Sequence, residues 1–118
     1  MREMTTHHLR LATEPFTAIL RGDKTIESRL YDEKRQIIQL GDTIIFTHRA
    51  HPEQTIAVRV VGLLRYQTFY DLFRHNPPGK FGGMSPAQLE KQIDEFYSLE
   101  EQHRYGVVGI EFELLAQY

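Results

Sequence analysis

The 118 residues include no cysteine, which excludes a disulfide framework and a thiolate zinc site. No apolar run approaches the roughly 18 residues that a membrane-crossing helix needs, so no membrane association is expected. An excess of one charge is lacking as well: fourteen Lys and Arg stand against sixteen Asp and Glu, for a formal net charge of -2. That balance rules out a broad electrostatic pull toward nucleic acid, so any such contact must be local. Internal repeats, low-complexity tracts and linkers are absent too, and the only stretch dense in Pro and Gly is "NPPGKFGGM", Asn76 to Met84. The charged start "MREMTTHHLR" does not read as the apolar segment of a secretory signal. The expectation is one domain over residues 1–118 with a cytoplasmic address.

What is present suits a globular core: 41% of residues are hydrophobic and 25% charged. "MTTHHLRL" reads as extended. In "TEPFTAILRG", Phe16, Ile19 and Leu20 fall at helical spacing, with Pro15 in the first turn and Gly22 as the stop. Strand character resumes in "KTIESRLY" and again in "DTIIFTH" after Gly41. The longest β-branched run, Thr55 to Tyr66, sets Ile56, Val58 and Val60 on one face, and Gly62 marks a bend or bulge. "TFYDLF" predicts a short helix. "SPAQLEKQIDEFY" predicts a longer one, with a Ser85 and Gln88 capping box, Pro86 at its first turn, and Leu89, Ile93, Phe96 and Tyr97 as the buried stripe. The chain closes on a half-buried strand, "YGVVGIEFELL". Short connections and a bent long strand point to an α+β, strand-dominated fold: a small curled mixed or antiparallel sheet closing toward a barrel, with helices packed around it.

The segment "RGDKTIESRLYDEKR", Arg21 to Arg35, threads apolar residues through dense charge. Alternation puts Ile26, Ser28 and Leu30 toward the core and Thr25, Glu27, Arg29 and Tyr31 on the opposite face. A carboxylate and a guanidinium two residues apart on a strand stand side by side, at the spacing of a charge-assisted hydrogen bond. Lys24 follows the Gly22-Asp23 turn at the mouth. Such a set can read a base edge or an amide; a solvated surface ion pair is the plainer alternative.

These residues resemble the ASCH domain, a small module similar to the PUA fold. Its G-x-K-x-x-E-x-R element is matched by Gly22, Lys24, Glu27 and Arg29, preceded by a helix with "PF" and followed by "GD" at Gly41 and Asp42. The closing "YGVVGIEFELL" resembles the group's last strand. The resemblance implies a small PUA-like mixed β-barrel with helices around a cleft, and a ligand that is RNA or a modified nucleoside, not DNA. It makes Lys24, Glu27 and Arg29 cleft residues. One branch of the family hydrolyses N4-acetylcytidine with a lysine, a threonine three positions later and a more distant glutamate. Lys24 matches that lysine, but Glu27 occupies the threonine's position and "GKFGG" the region of the glutamate. The alternative reading is a small hydrolase acting on a modified nucleoside or on RNA, with Lys24 and Glu27 as its catalytic pair and Lys24 as general base. A protein-interaction or ligand-sensing module is the third reading.

Further candidates surround this element. Arg35, in the helical turn opened by "DEKR", and Tyr105, before the last strand, are candidate RNA or ligand contacts. The loop Asn76 to Met84 is either a plain connection or a lid that brings Lys80 and Phe81 over a ligand. His7 and His8 alternate across a strand, and His48 and His51 can share a turn. No histidine or carboxylate at ligand spacing completes a metal site, so neither a metal nor a cofactor is expected.

Overall fold

The computed structural model describes residues 3–117. The chain order is β1 (Thr6–Leu11), α1 (Thr13–Leu20), β2 (Ile26–Leu30), α2 (Glu33–Gln36), β3 (Thr43–His48), β4 (Thr55–Tyr66), α3 (Phe69–Arg74), a 3-10 turn (Pro78–Lys80), α4 (Pro86–Asp94), α5 (Leu99–Tyr105) and β5 (Val107–Gln117). The strands form one five-stranded sheet in the order β1-β3-β4-β5-β2. Only the β1–β3 pairing is parallel; the other three are antiparallel. The sheet is mixed and curls into a half-barrel, as the strand order predicts.

The curl is built into β4. Val60 opposes Phe112 and Gly62 opposes Glu111, leaving Val61 as a bulge residue. The bulge switches the parity of the strand: Ile56, Val58 and Val60 point into the barrel before it and Leu63 after it, while Leu64 and Tyr66 turn to the other face. Gly62 suits a close approach, because a Cβ there would lie 3.1 Å from the Glu111 Cβ, tighter than an ordinary contact, and 2.8 Å from the movable Oε1 of the same side chain.

Two cores result. Inside the curl, Leu9, Leu11, Ile44, Phe46, Ile56, Val58, Val60, Val108, Ile110 and Phe112 meet Phe16 and Ile19 of α1. On the outer face, Ile26, Leu30 and Val107 are covered by Phe69, Leu72 and Phe73 of α3, by Phe81 and by Leu89 of α4. Burying each such side chain contributes about 1.5–3 kcal/mol. The "GD" at the start of β3 is structural: the buried Asp42 carboxylate accepts from the Thr5 and Gln39 amides and lies 2.8 Å from Nε2 of His7.

The helical segment departs from expectation in two places. Helix α4 stops at Asp94, so the stripe expected to include Phe96 is cut short: Leu89 is buried, Ile93 and Tyr97 are half-buried, and Phe96 is 64% exposed. The chain turns there, with the amides of Phe96 and Tyr97 both donating to the Ile93 carbonyl. It then starts an additional helix, α5, through a second capping box made by Ser98 and Glu101.

Candidate functional site

Strand β2 lies at one edge of the sheet and pairs only with β5. Glu27 opposes Ile110 and Arg29 opposes Val108, and directly opposed residues share a face. Glu27 and Arg29 therefore sit on the barrel side with the inner core, while Ile26 and Leu30 lie on the outer side under α3 and α4. Both faces of β2 are covered, which explains how the strand mixes apolar and charged residues.

Lys24 is set by the turn before the strand. Gly22 closes α1 at φ +80, a left-handed backbone that a side chain would strain. The amides of Asp23 and Lys24 then both donate to the Ala18 carbonyl. Thr25 donates to the Lys80 carbonyl, and Lys24 forms an isolated bridge with Phe81. The segment Asn76 to Met84 is thus tied to the motif, with Phe81 buried edge-to-face on Phe73 and Lys80 paired to Glu111 at 3.1 Å. It forms part of the wall of a cavity.

Glu27 is the centre of an ion triad. Its Oε1 lies 3.3 Å from the Lys24 Nζ and accepts from the Ser28 amide at 3.1 Å. Its Oε2 accepts from both Nε and Nη2 of Arg29, at 3.2 and 2.9 Å. Arg29 Nη2 also donates to the Arg10 carbonyl at 2.9 Å, bridging the open side of the half-barrel between its edge strands β2 and β1. Burial is the largest influence on Glu27 and pushes its carboxyl up, but the charges of Lys24 and Arg29 and their hydrogen bonds outweigh it and hold the group below its ordinary value. Burial likewise pushes Arg29 down, and the Glu27 carboxylate more than reverses it, so the guanidinium is held above its ordinary value.

Lys24, Glu27 and Arg29 line one cavity of about 520 Å³. Its other walls come from α1 and from Phe81, Met84, Ile93, Phe96 and Tyr97, together with Arg10 and Arg49. Ser28, expected in the core, is half-buried and also lines it. The remaining candidates stand elsewhere. Arg35 is held by Asp32 at 2.8 Å, where Asp32 also caps α2. Tyr105 lines a separate depression with Arg65, Gln102 and Arg104. His48 stacks on Phe16, contacts Thr13 and Gln54, and meets His51 edge-to-face at 5.1 Å. Among the described residues no group of three or more His, Cys, Asp or Glu could hold a metal ion, and no helix is long and apolar enough to cross a membrane.

The family model described as "ASCH domain" matches residues 9–116. The chain belongs to the ASCH domain family. Similar solved structures share its fold. The crystal structure of the hypothetical protein PH0355 is 33% identical, with a TM-score of 0.83, over 94% of this chain and 100% of that one. The solution structure of PF0455 from Pyrococcus furiosus is 31% identical, with a TM-score of 0.69, over 96% of this chain and 98% of that one. The ASCH protein of Zymomonas mobilis shares the fold at 17% identity and a TM-score of 0.64, over 90% of this chain and 65% of that one. No curated protein matches.

Three cavity-lining residues of this ASCH domain escape a reading of the sequence. Phe96 is masked by the helical stripe, although the S-x-x-E signal at Ser98 marks a new helix and hence a break before it. Arg10 and Arg49 carry no local signal. They reach the site because β1 pairs in parallel with β3, where Arg10 opposes Thr47 and the Arg49 amide donates to the Leu11 carbonyl at 2.8 Å.

Proposed function

We propose that this ASCH domain binds RNA, or a modified nucleoside, through a base held in the cavity of Lys24, Glu27 and Arg29. The observation that carries the reading is the convergence of the buried Lys24 and Glu27 and the half-buried Arg29 on one cavity of about 520 Å³, within the roughly 300–1,000 Å³ of small-ligand sites. A carboxylate offers about four acceptor positions, and here they face the Ser28 amide, Lys24 and two nitrogens of Arg29. Glu27 is therefore a positioning residue. The donors left over belong to Lys24 and to Nη1 of Arg29, which has no protein partner among the described residues. A site rich in fixed donors suits an acceptor on the ligand, such as the carbonyl oxygen of uracil, cytosine, guanine or an acylated base. Phe96, exposed at the cavity, offers a face for stacking.

The test is a panel of nucleosides, cytidine, N4-acetylcytidine, uridine, guanosine and adenosine, measured by calorimetry for binding and by chromatography for turnover. Carbonyl-bearing bases are expected to bind more tightly than adenosine, and Arg29→Ala is expected to remove that preference. Equal binding of adenosine, unchanged in Arg29→Ala, would overturn the reading.

A further inference from the structure

We infer that a second groove beside the cavity is a phosphodiester track, so that the ligand is a nucleotide within single-stranded RNA. This rests on the base-binding reading above. The groove has a volume of about 680 Å³ and is lined by His8, Arg10, Arg29, Lys34 and Arg49 among others, with no carboxylate in its wall. Arg10, Arg29 and Arg49 line the cavity as well, so the two spaces share a wall.

Unpaired cations together with a wall shared with the cavity mark this groove. Several exposed cations elsewhere hold carboxylates, Arg21 with Asp23, Arg59 with Glu113, Arg74 with Glu90 and Lys80 with Glu111; Arg65, Lys91 and Arg104 hold none among the described residues, but they do not line the cavity. The side chains of Arg10, Lys34 and Arg49 are exposed and have no such partner among the described residues. Like charges gathered without a counter-ion repel one another, and an anion relieves that cost. Arg10 owes its place to the strand period, because Leu9 and Leu11 face the core and it faces out. In a chain of net charge -2, an acid-free groove continuous with a base-sized cavity fits a chain of phosphates leading from a splayed-out base. A base must leave its stack to enter the cavity, which costs a single strand less than a duplex.

The experiment compares wild type with the Arg10→Gln, Lys34→Gln, Arg49→Gln triple variant. The probe is a fluorescein-labelled oligouridine about twelve nucleotides long, a span a small single-strand site accommodates, read by anisotropy across a salt series. Uridine binding is measured in parallel by calorimetry. Each lost phosphate contact flattens log K against log salt by about 0.7, so the triple variant should be flatter by roughly 2 and bind the RNA at least about tenfold more weakly. Uridine affinity should not change in Lys34→Gln, because Lys34 lines the groove and not the cavity. The three side chains are exposed, so an unchanged melting curve verifies folding; Lys34→Gln alone should flatten the slope by about 0.7 as a second reading. A wild type that does not bind the RNA, an unchanged slope, or displacement of the RNA by inorganic phosphate at constant ionic strength overturns the inference. Absent uridine binding with a flattened RNA slope upholds the track and removes the base-binding reading instead.

Discussion

In the cavity, Lys24 and Arg29 share one buried carboxylate at 3.3 and 2.9 Å, whereas in the adjoining groove Arg10, Lys34 and Arg49 reach into solvent with no acid in the wall. Burial accounts for the difference. A desolvated cation must have a counter-charge and satisfied hydrogen bonds, which fixes its position and makes it able to discriminate between ligand groups. An exposed cation tolerates being unpaired and keeps its reach, which favours affinity and capture over selection.

Removing the shared carboxylate should separate the two regions most sharply. Glu27→Ala leaves the buried Lys24 and the half-buried Arg29 without their counter-charge and should destabilise the fold by about 3–5 kcal/mol, seen as a lower urea midpoint. The triple substitution in the groove should leave that midpoint almost unchanged. Arg29→Ala is the next largest effect: it should weaken the preferred nucleoside by about 1–3 kcal/mol, while Lys91→Ala on the exposed side of α4 should leave it unaltered.

Acid should act on the cavity in a known direction. Because Glu27 is held below its ordinary value of 4.5 in the folded protein, the unfolded chain takes up the proton first. The stability this carboxylate contributes is complete above its ordinary value and is lost as pH falls through the lower, folded-state value. Glu27→Gln should therefore be less stable than wild type at neutral pH, with a gap that narrows in acid; a gap independent of pH would contradict the triad. A smaller effect is expected of Phe96→Ala, which should cost about 1 kcal/mol of RNA binding if a base stacks there and leave the melting curve in place. The least is expected of N4-acetylcytidine turnover. The position of the threonine nucleophile is held by Glu27, whose carboxylate is engaged by two cations, so chromatography should show no product that Lys24→Ala abolishes.

Much of this architecture was legible in the chain because local rules and global packing agree in it. The β-branched run Thr55 to Tyr66 became β4 with its bulge at Gly62, and the Ser85 and Gln88 box opened α4. The i, i+2 placement of Glu27 and Arg29 brought them side by side on β2. Their burial was not legible, since alternation names the face of a strand but not what covers it. In a curled sheet with helices outside, both faces of β2 are covered. Helix α5 was missed because the apolar stripe ran on through Phe96 and Tyr97 and overrode the cap at Ser98. Arg10, Lys34 and Arg49 come from separate elements joined only by tertiary pairing, and no sequence window contains them together.

The most direct measurement is a map of amide chemical shifts as a short uridine-rich RNA is added to the labelled protein. The account predicts that perturbations gather at Lys24 to Arg29, Phe81 to Met84, Phe96 and Tyr97, and extend to Arg10, Lys34 and Arg49. Perturbations confined to the depression of Arg65, Gln102, Arg104 and Tyr105, with the cavity silent, would contradict it.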